Sequence, residues 1–209
     1  MTTEIIRINP LHPEPDKIKY AAQALKNGKL VVFPTETVYG IGANSENKKT
    51  VARLRKLKER QKTPFSYHIA AKSDLKRLNC VIDKNAKKII ERFWPGPLTL
   101  VLPTKSGPHA RAGKSIGVRM PAHAAALALL KTAKAKIVAP SANFKDEKPA
   151  TSAEEAFGSL SGLVDIIVDS GKTRVGISST VLDMTETPRR ILRKGSISKK
   201  EIEKLIGKI

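Results

Sequence analysis

Apolar and polar positions along this chain alternate between two periods. Residues 4–8 predict a first strand, and residues 16–27 a helix in which Ile18, Ala21, Ala22 and Leu25 share one face before Gly28 stops it. Residues 30–33 are wholly apolar and end at Pro34, as in a short buried strand. Residues 47–60 return to helical spacing, with Val51, Leu54 and Leu57 apolar and Lys49, Arg53, Lys56 and Arg60 mostly elsewhere around the barrel. Further strands are predicted at 65–70, 98–102, 116–119, 136–139, 166–168, 179–182 and 190–192, and helices at 84–93, 122–131 and the C-terminus. Ser152 with Glu155 and Ser198 with Glu201 both match the S-x-x-E capping pattern. After Ser198, the stripe Ile202, Leu205, Ile206 and Ile209 predicts a last helix that docks on the rest. Helices alternating with strands give an α/β class, and closely spaced strands near the end predict a mixed parallel and antiparallel sheet.

No repeat, low-complexity segment or linker divides the 209 residues, so a single domain over 1–209 is expected. The composition is that of a globular chain, 40% hydrophobic and 28% charged. The lone Cys80 rules out an internal disulfide and a cysteine zinc cluster, in keeping with a reducing cytoplasm. The N-terminus has no signal-peptide pattern and no apolar run is long enough for a membrane span, so no membrane partner is expected. Against 19 acidic residues stand 39 Lys and Arg, a formal charge of +20. Such a field attracts polyanions: a nucleoside triphosphate, RNA or an anionic surface. With only 4% aromatics, base stacking on single strands is disfavoured.

The familiar nucleotide loops are missing. The run from Gly107 to Ser115 has five residues between its glycines where a P-loop needs four, and it leads into a predicted strand instead of a helix. No G-x-G-x-x-G follows a strand, no G-x-S-x-G elbow is present, and the four histidines have no ligand spacing for a transition metal. What remains is polar and comes after strands. The segment Thr35-Glu36-Thr37-Val38-Tyr39-Gly40-Ile41-Gly42 reads as a loop at the C-terminal end of a strand, where ligands bind in open α/β sheets. Ser141-Ala142-Asn143 comes after another strand and offers a hydroxyl, an amide and backbone N–H groups to phosphate oxygens. Lys58 and Arg60, two residues apart, can grip one polyphosphate only if the helix ends beside them. Each piece alone equally describes a turn or a solvated basic face.

In order, FPTETVYGIGAN, Lys58-x-Arg60, WPGPLTLVLP, IGVRMP, APSAN, SSTVLD and ILRKGSI resemble the YrdC-type threonylcarbamoyl-AMP synthases, from about Leu30 to Ser196. The resemblance implies a twisted mixed sheet flanked by helices with a basic concave face. It also implies condensation of L-threonine, bicarbonate or CO2, and ATP into threonylcarbamoyl-AMP and pyrophosphate. Mg2+ would be held by the phosphates, and a downstream transferase would deliver the group to tRNA. By position, it implies that Lys58, Arg60, Thr63, Ser115, Ser141, Asn143 and Arg193 contact the nucleotide, with Lys58 and Arg60 catalytic. Thr37, His68, Arg119, Ser179 and the backbone of Ala139 would hold threonine, Arg119 through its carboxylate.

Two positions depart from the family pattern: Thr63 stands where an Asn is usual, and Ala150 where a hydroxyl is. The chain resembles the short synthases that have no further C-terminal domain. A non-catalytic module binding tRNA or other, including double-stranded, RNA through the basic face is the competing reading. A carbamoyl-adenylate-forming domain of the hydrogenase-maturation type is a third, opposed by the absence of zinc-finger and acylphosphatase-like regions.

Overall fold

The computed structural model describes residues 2–60, 63–105 and 115–209. In chain order its elements are β1 (Glu4–Arg7), α1 (Pro15–Lys26), β2 (Val31–Phe33), β3 (Gly40–Asn44), α2 (Lys48–Leu57), β4 (Tyr67–His68), α3 (Asp74–Arg77), α4 (Lys84–Phe93) and β5 (Leu98–Pro103). They continue with β6 (Ser115–Arg119), α5 (Ala124–Ala133), β7 (Ile137–Val138), α6 (Ala153–Leu160), β8 (Ile166–Asp169), β9 (Thr180–Asp183), β10 (Arg190–Arg193) and α7 (Lys199–Ile206).

The strands form one sheet in the order β1-β8-β2-β3-β7-β4-β6-β5-β9-β10. β8 lies parallel between β1 and β2, and β4 with β6 and β5 with β9 are also parallel. The remaining neighbours are antiparallel. The sheet is therefore mixed, as the strand spacing predicts. The physical reason is connection length: β2 reaches β3 through a loop, which permits an antiparallel return, whereas β8 comes after a helix that can cross over the sheet.

Three buried clusters hold the layers together. One lies under α1 and α5, one under α2 and α6 with Leu30, Tyr39 and Ile167, and one under α4 and α7 against Leu98, Leu100 and Leu102. Helix α4 shows how the sequence dictates this. Asp83 caps it by accepting from the Ala86 N–H at 2.6 Å, and Ala86, Ile89, Ile90 and Phe93 form one buried stripe. Each large apolar side chain buried in this way contributes about 1.5–3 kcal/mol. Ser198 and Glu201 make the complete capping box expected of them, and Ile202 anchors α7 in the third cluster. At α6 only half of the pattern forms: Ser152 accepts from the Glu155 N–H, while the Glu155 carboxylate turns to Thr151.

The structure corrects one expectation. Residues 40–42, read as loop, belong to β3, which pairs with β2. Gly42 is needed there because a Cβ would meet Phe33 at 2.8 Å and Leu25 at 3.1 Å. Helix α3, a single turn, is too short to show a period and is absent from the expected elements.

The end of α2 sets the directions of Lys58 and Arg60. Glu59 takes a left-handed φ of 47°, its N–H donates to the Lys56 carbonyl, and the Arg60 N–H donates to the Arg55 carbonyl. That pair of bonds is a Schellman stop, here with a non-glycine residue at the left-handed position. The chain reverses between Lys58 and Arg60, so their side chains leave the helix end in different directions. The condition for K-x-R to act, a helix ending beside it, is met.

Candidate active site

One cleft is lined by residues from many separate stretches of chain. Among them are Thr35, Arg60, His68, Thr99, Arg119, Ala139, Ser141, Ser179 and Arg193. Seven of the twelve expected site residues therefore meet in one place: Arg60, His68, Arg119, Ala139, Ser141, Ser179 and Arg193. Parallel pairing of β4 with β6 sets His68 beside Arg119, and β7 delivers Ala139 and then the Ser141 loop.

Lys58 and Asn143 lie behind that wall. Lys58 is buried at the C-cap of α2, and its ammonium donates to the Ser141 carbonyl at 3.0 Å, to the Asn143 carbonyl, and to Asn143 Oδ1 at 3.1 Å. Its three donors are all used on the S-x-N loop. Burial, and secondarily the charge of Arg60, lower its pKa to about 8, with Glu147 opposing. The loop is also tied to β3, since Ala142 donates to the Tyr39 carbonyl and Tyr39 to that of Ala150. Ala150, noted for its missing hydroxyl, is a buried member of the second core cluster and does not line the cleft.

Three expected residues are placed differently. Thr37 is fully buried with its hydroxyl 2.9 Å from that of Thr35, and it is Thr35 that reaches the cleft. Thr63 is exposed, its carbonyl accepting from Arg55. Ser115 is exposed at the start of β6 and is not part of the lining. The rejected P-loop run, apart from Ser115, lies outside the described residues.

The chemistry of the walls is cationic and tightly held. Arg119 is 4% exposed and makes an ion pair of 2.9 Å with Glu36, itself 2% exposed. Glu36 also accepts from the Ala122 N–H at 3.0 Å through Oε2 and receives the Val175 N–H at its carbonyl. Arg119 Nε donates to the Gly96 carbonyl at 3.3 Å. Burial lowers the Arg119 pKa, and the Glu36 carboxylate opposes the shift. Arg193 donates to the Ser179 carbonyl and hydroxyl at 2.9 Å each, and the Ser179 hydroxyl lies 2.9 Å from that of Thr99. Burial lowers the Arg193 pKa too, with a smaller push from the charges of Arg119 and Arg60. Glu36 and Thr99 are contributions that sequence reasoning missed. Both sit inside quoted motifs, but nothing local marks their long-range partners.

His68 stands edge-on to Phe33, with ring centroids 6.1 Å apart, and its buried Nδ1 has no hydrogen-bond partner among the described residues. Burial, then the Arg119 charge, hold its pKa down to about 3, partly opposed by a hydrogen bond to the Ser66 backbone. Imidazole is therefore neutral in the folded protein and binds its proton more readily unfolded. Stability from this group is full above its ordinary pKa of 6.5 and is lost as pH falls toward 3, at up to about 1.4 kcal/mol per pH unit. Urea unfolding of His68→Asn across that window should show a slope shallower than wild type by about one proton. Parallel curves would rule out a buried neutral His68.

Among the described residues no cluster of three or more His, Cys, Asp or Glu could hold a metal, and no helix is long and apolar enough to cross a membrane.

Comparison with known proteins places this architecture. A threonylcarbamoyl-AMP synthase from Pyrococcus abyssi is 44% identical over 92% of this chain and 58% of its own length. Another from Bacillus subtilis is 41% identical over 92% of this chain and 57% of its own. The chain thus spans somewhat more than half the length of these relatives. The crystal structure of P. abyssi Sua5 complexed with L-threonine superposes with a TM-score of 0.92 at 42% identity, covering 99% of this chain and 62% of that one. A family model described as telomere recombination, Sua5/YciO/YrdC, matches residues 23–195, and the chain belongs to that family.

Proposed function

We propose that the chain is a threonylcarbamoyl-AMP synthase, joining L-threonine, bicarbonate or CO2, and ATP into threonylcarbamoyl-AMP with release of pyrophosphate. The observation that carries this reading is the convergence of Arg60, Arg119 and Arg193 with neutral His68 and the Lys58-held S-x-N loop around one cleft. Relatives named for this activity support it, as does the similar Sua5 structure that holds L-threonine.

In this reading Arg119 anchors the threonine carboxylate, and His68, Ser179, Thr35 and the Ala139 backbone surround the rest of the amino acid, with Thr37 behind Thr35 and within hydrogen-bond reach of its hydroxyl. The free amine of threonine adds to CO2 and gives up a proton, forming a carbamate. A carbamate oxygen then attacks the α-phosphorus of ATP, and the bond to the β-phosphate oxygen breaks to release pyrophosphate. Arg60 and Arg193, which line the cleft, neutralise developing phosphate charge, while Lys58 and Asn143, hydrogen-bonded to each other behind the wall, hold the loop that presents Ser141 to the phosphate oxygens, so catalysis is orientation and electrostatics without a covalent nucleophile. Thr63 and Ser115, exposed and off the cleft lining, are given no part in this step. Mg2+ fits as a cation brought on the phosphates, since Glu36, the buried carboxylate beside the cleft, is committed to Arg119 and Ala122. The product's acyl phosphate makes it a donor for a downstream transferase acting on tRNA, in the cytoplasm.

The test is pyrophosphate release from ATP with threonine and bicarbonate supplied separately and together. Release that requires both is expected, with threonylcarbamoyl-AMP identified by mass spectrometry. Release indifferent to threonine refutes the assignment, and RNA binding without any release favours the non-catalytic module.

A further inference from the structure

A second and larger concavity lies at the other end of the short strand pair that carries His68. Phe65 and Ser66, before β4, and Ala139 to Ser141, after β7, line the cleft. At the opposite ends of the same antiparallel strands, Ile69 to Ala71 and Lys134 to Lys136 line a groove closed by α3 and the end of α5. His68 belongs to both walls. Each strand is two residues long, so the partition between the cavities is only about 7 Å of backbone.

The floor of this groove is apolar, formed by Ile69, Leu78, Leu130 and Ile137, of which Ile137 is fully buried. Its mouth is cationic. Arg77 is paired with Asp74 at 3.4 Å, and Lys136 with Glu46 at 3.2 Å. The Asp74 carboxylate is further committed to the Ala70 and Ala71 N–H groups. Lys131 and Lys134 make no ion pair among the described residues. Lys134 also holds a left-handed φ of 50° at the C-cap of α5, where glycine would be the relaxed choice. An apolar trough under two unpaired ammonium groups is complementary to an anion with an apolar tail.

We propose that this groove is a second ligand site, distinct from the cleft, which takes a small monoanion with an aliphatic body, such as a medium-chain carboxylate. The carboxylate sits between Lys131 and Lys134, and the tail lies on Leu130, Leu78 and Ile137 toward His68. The site itself stands on its own geometry. Only its consequence for the cleft, a ligand pressing on the far side of His68, rests on the threonine reading.

The probe is octanoate, titrated into the full chain while the His68 imidazole resonances are tracked by NMR. Four histidines make assignment by a His68→Gln spectrum tractable. Saturable binding with Kd about 1 mM is expected for a ligand of this size, with the His68 signal moving. The variant Lys131→Gln with Lys134→Gly removes both charges while relieving the left-handed strain, and should weaken octanoate about tenfold with folding intact. Ala71→Trp, which fills the exposed groove wall, should abolish binding, and neutral octanamide should bind about tenfold more weakly than octanoate. No saturation below about 10 mM, equal binding of octanamide, indifference to Ala71→Trp, or an unmoved His68 signal each overturns the proposal. Threonine titrated into the same sample moves the His68 signal from the cleft side. Its failure to do so counts against the synthase reading and leaves the groove intact.

Discussion

Glu36→Gln is expected to lower the unfolding free energy by about 3–5 kcal/mol, the usual cost of leaving one member of a buried ion pair without its partner. Arg119 has little alternative. It is 4% exposed, its Nε is spent on the Gly96 carbonyl, and Arg193 adds positive charge nearby. Glutamine retains an oxygen for the Ala122 N–H, so the loss isolates the charge and not the cap of that turn. The double variant Glu36→Gln with Arg119→Met should recover most of the stability while abolishing threonine-dependent pyrophosphate release. Urea melts of the two single variants and the double variant, as a cycle, measure the coupling. A single Glu36→Gln within about 0.5 kcal/mol of wild type would show that the pair contributes nothing to folding.

In the proposed reaction Lys58→Met is expected to reduce adenylate formation by about 100- to 1,000-fold, the scale for losing one preorganised donor, because the loop that carries Ser141 to the cleft loses the ammonium that orders it. The substitution keeps the aliphatic stem but leaves the Ser141 carbonyl, the Asn143 carbonyl and Asn143 Oδ1 without the ammonium they share. Lys58→Arg should not rescue activity, because a planar guanidinium cannot direct its donors at three converging oxygens as a compact ammonium does. The lowered pKa adds a signature. Lys58 is charged below about pH 8 and neutral above it, so kcat/KM for ATP should fall as pH rises through that value. Stability moves in the opposite sense. A folded pKa below the ordinary 10.5 means that this group's contribution is complete above pH 10.5 and is lost as pH falls through 8. A rate profile flat from pH 7 to about 9.5 would exclude a charged Lys58 from the rate-determining step.

Where local rules decide the structure, the chain is readable from its residues. The α4 stripe, the Gly28 stop of α1 and the Ser198 capping box each depend on residues within a few positions of one another. Strand β3 is hidden because Gly40 and Gly42 look like loop residues. The meaning of Gly42 is a close approach to Phe33 and Leu25, which only the folded sheet creates. The site divides the same way. Motif order marks Arg60, His68, Arg119, Ser141 and Arg193, and the cleft contains them. Glu36 is illegible because its partner lies on β6, and Thr99 because its hydroxyl matters only where β5 and β9 bring it against Ser179. Thr37 and Thr63 carry the family positions but not, in this structure, a place on the cleft lining.

The cleft draws on residues from Thr35 to Arg193, joined through the central strands of the sheet. No fragment of the fold retains it, so a bound ligand is linked to whole-molecule unfolding and not to the opening of one loop. An occupant at 100 times its Kd therefore raises global stability by about 2.7 kcal/mol. That gain protects amide hydrogens in β1 and β8 as well as those beside the ligand, which makes hydrogen exchange at the remote edge of the sheet a sensitive gauge of occupancy.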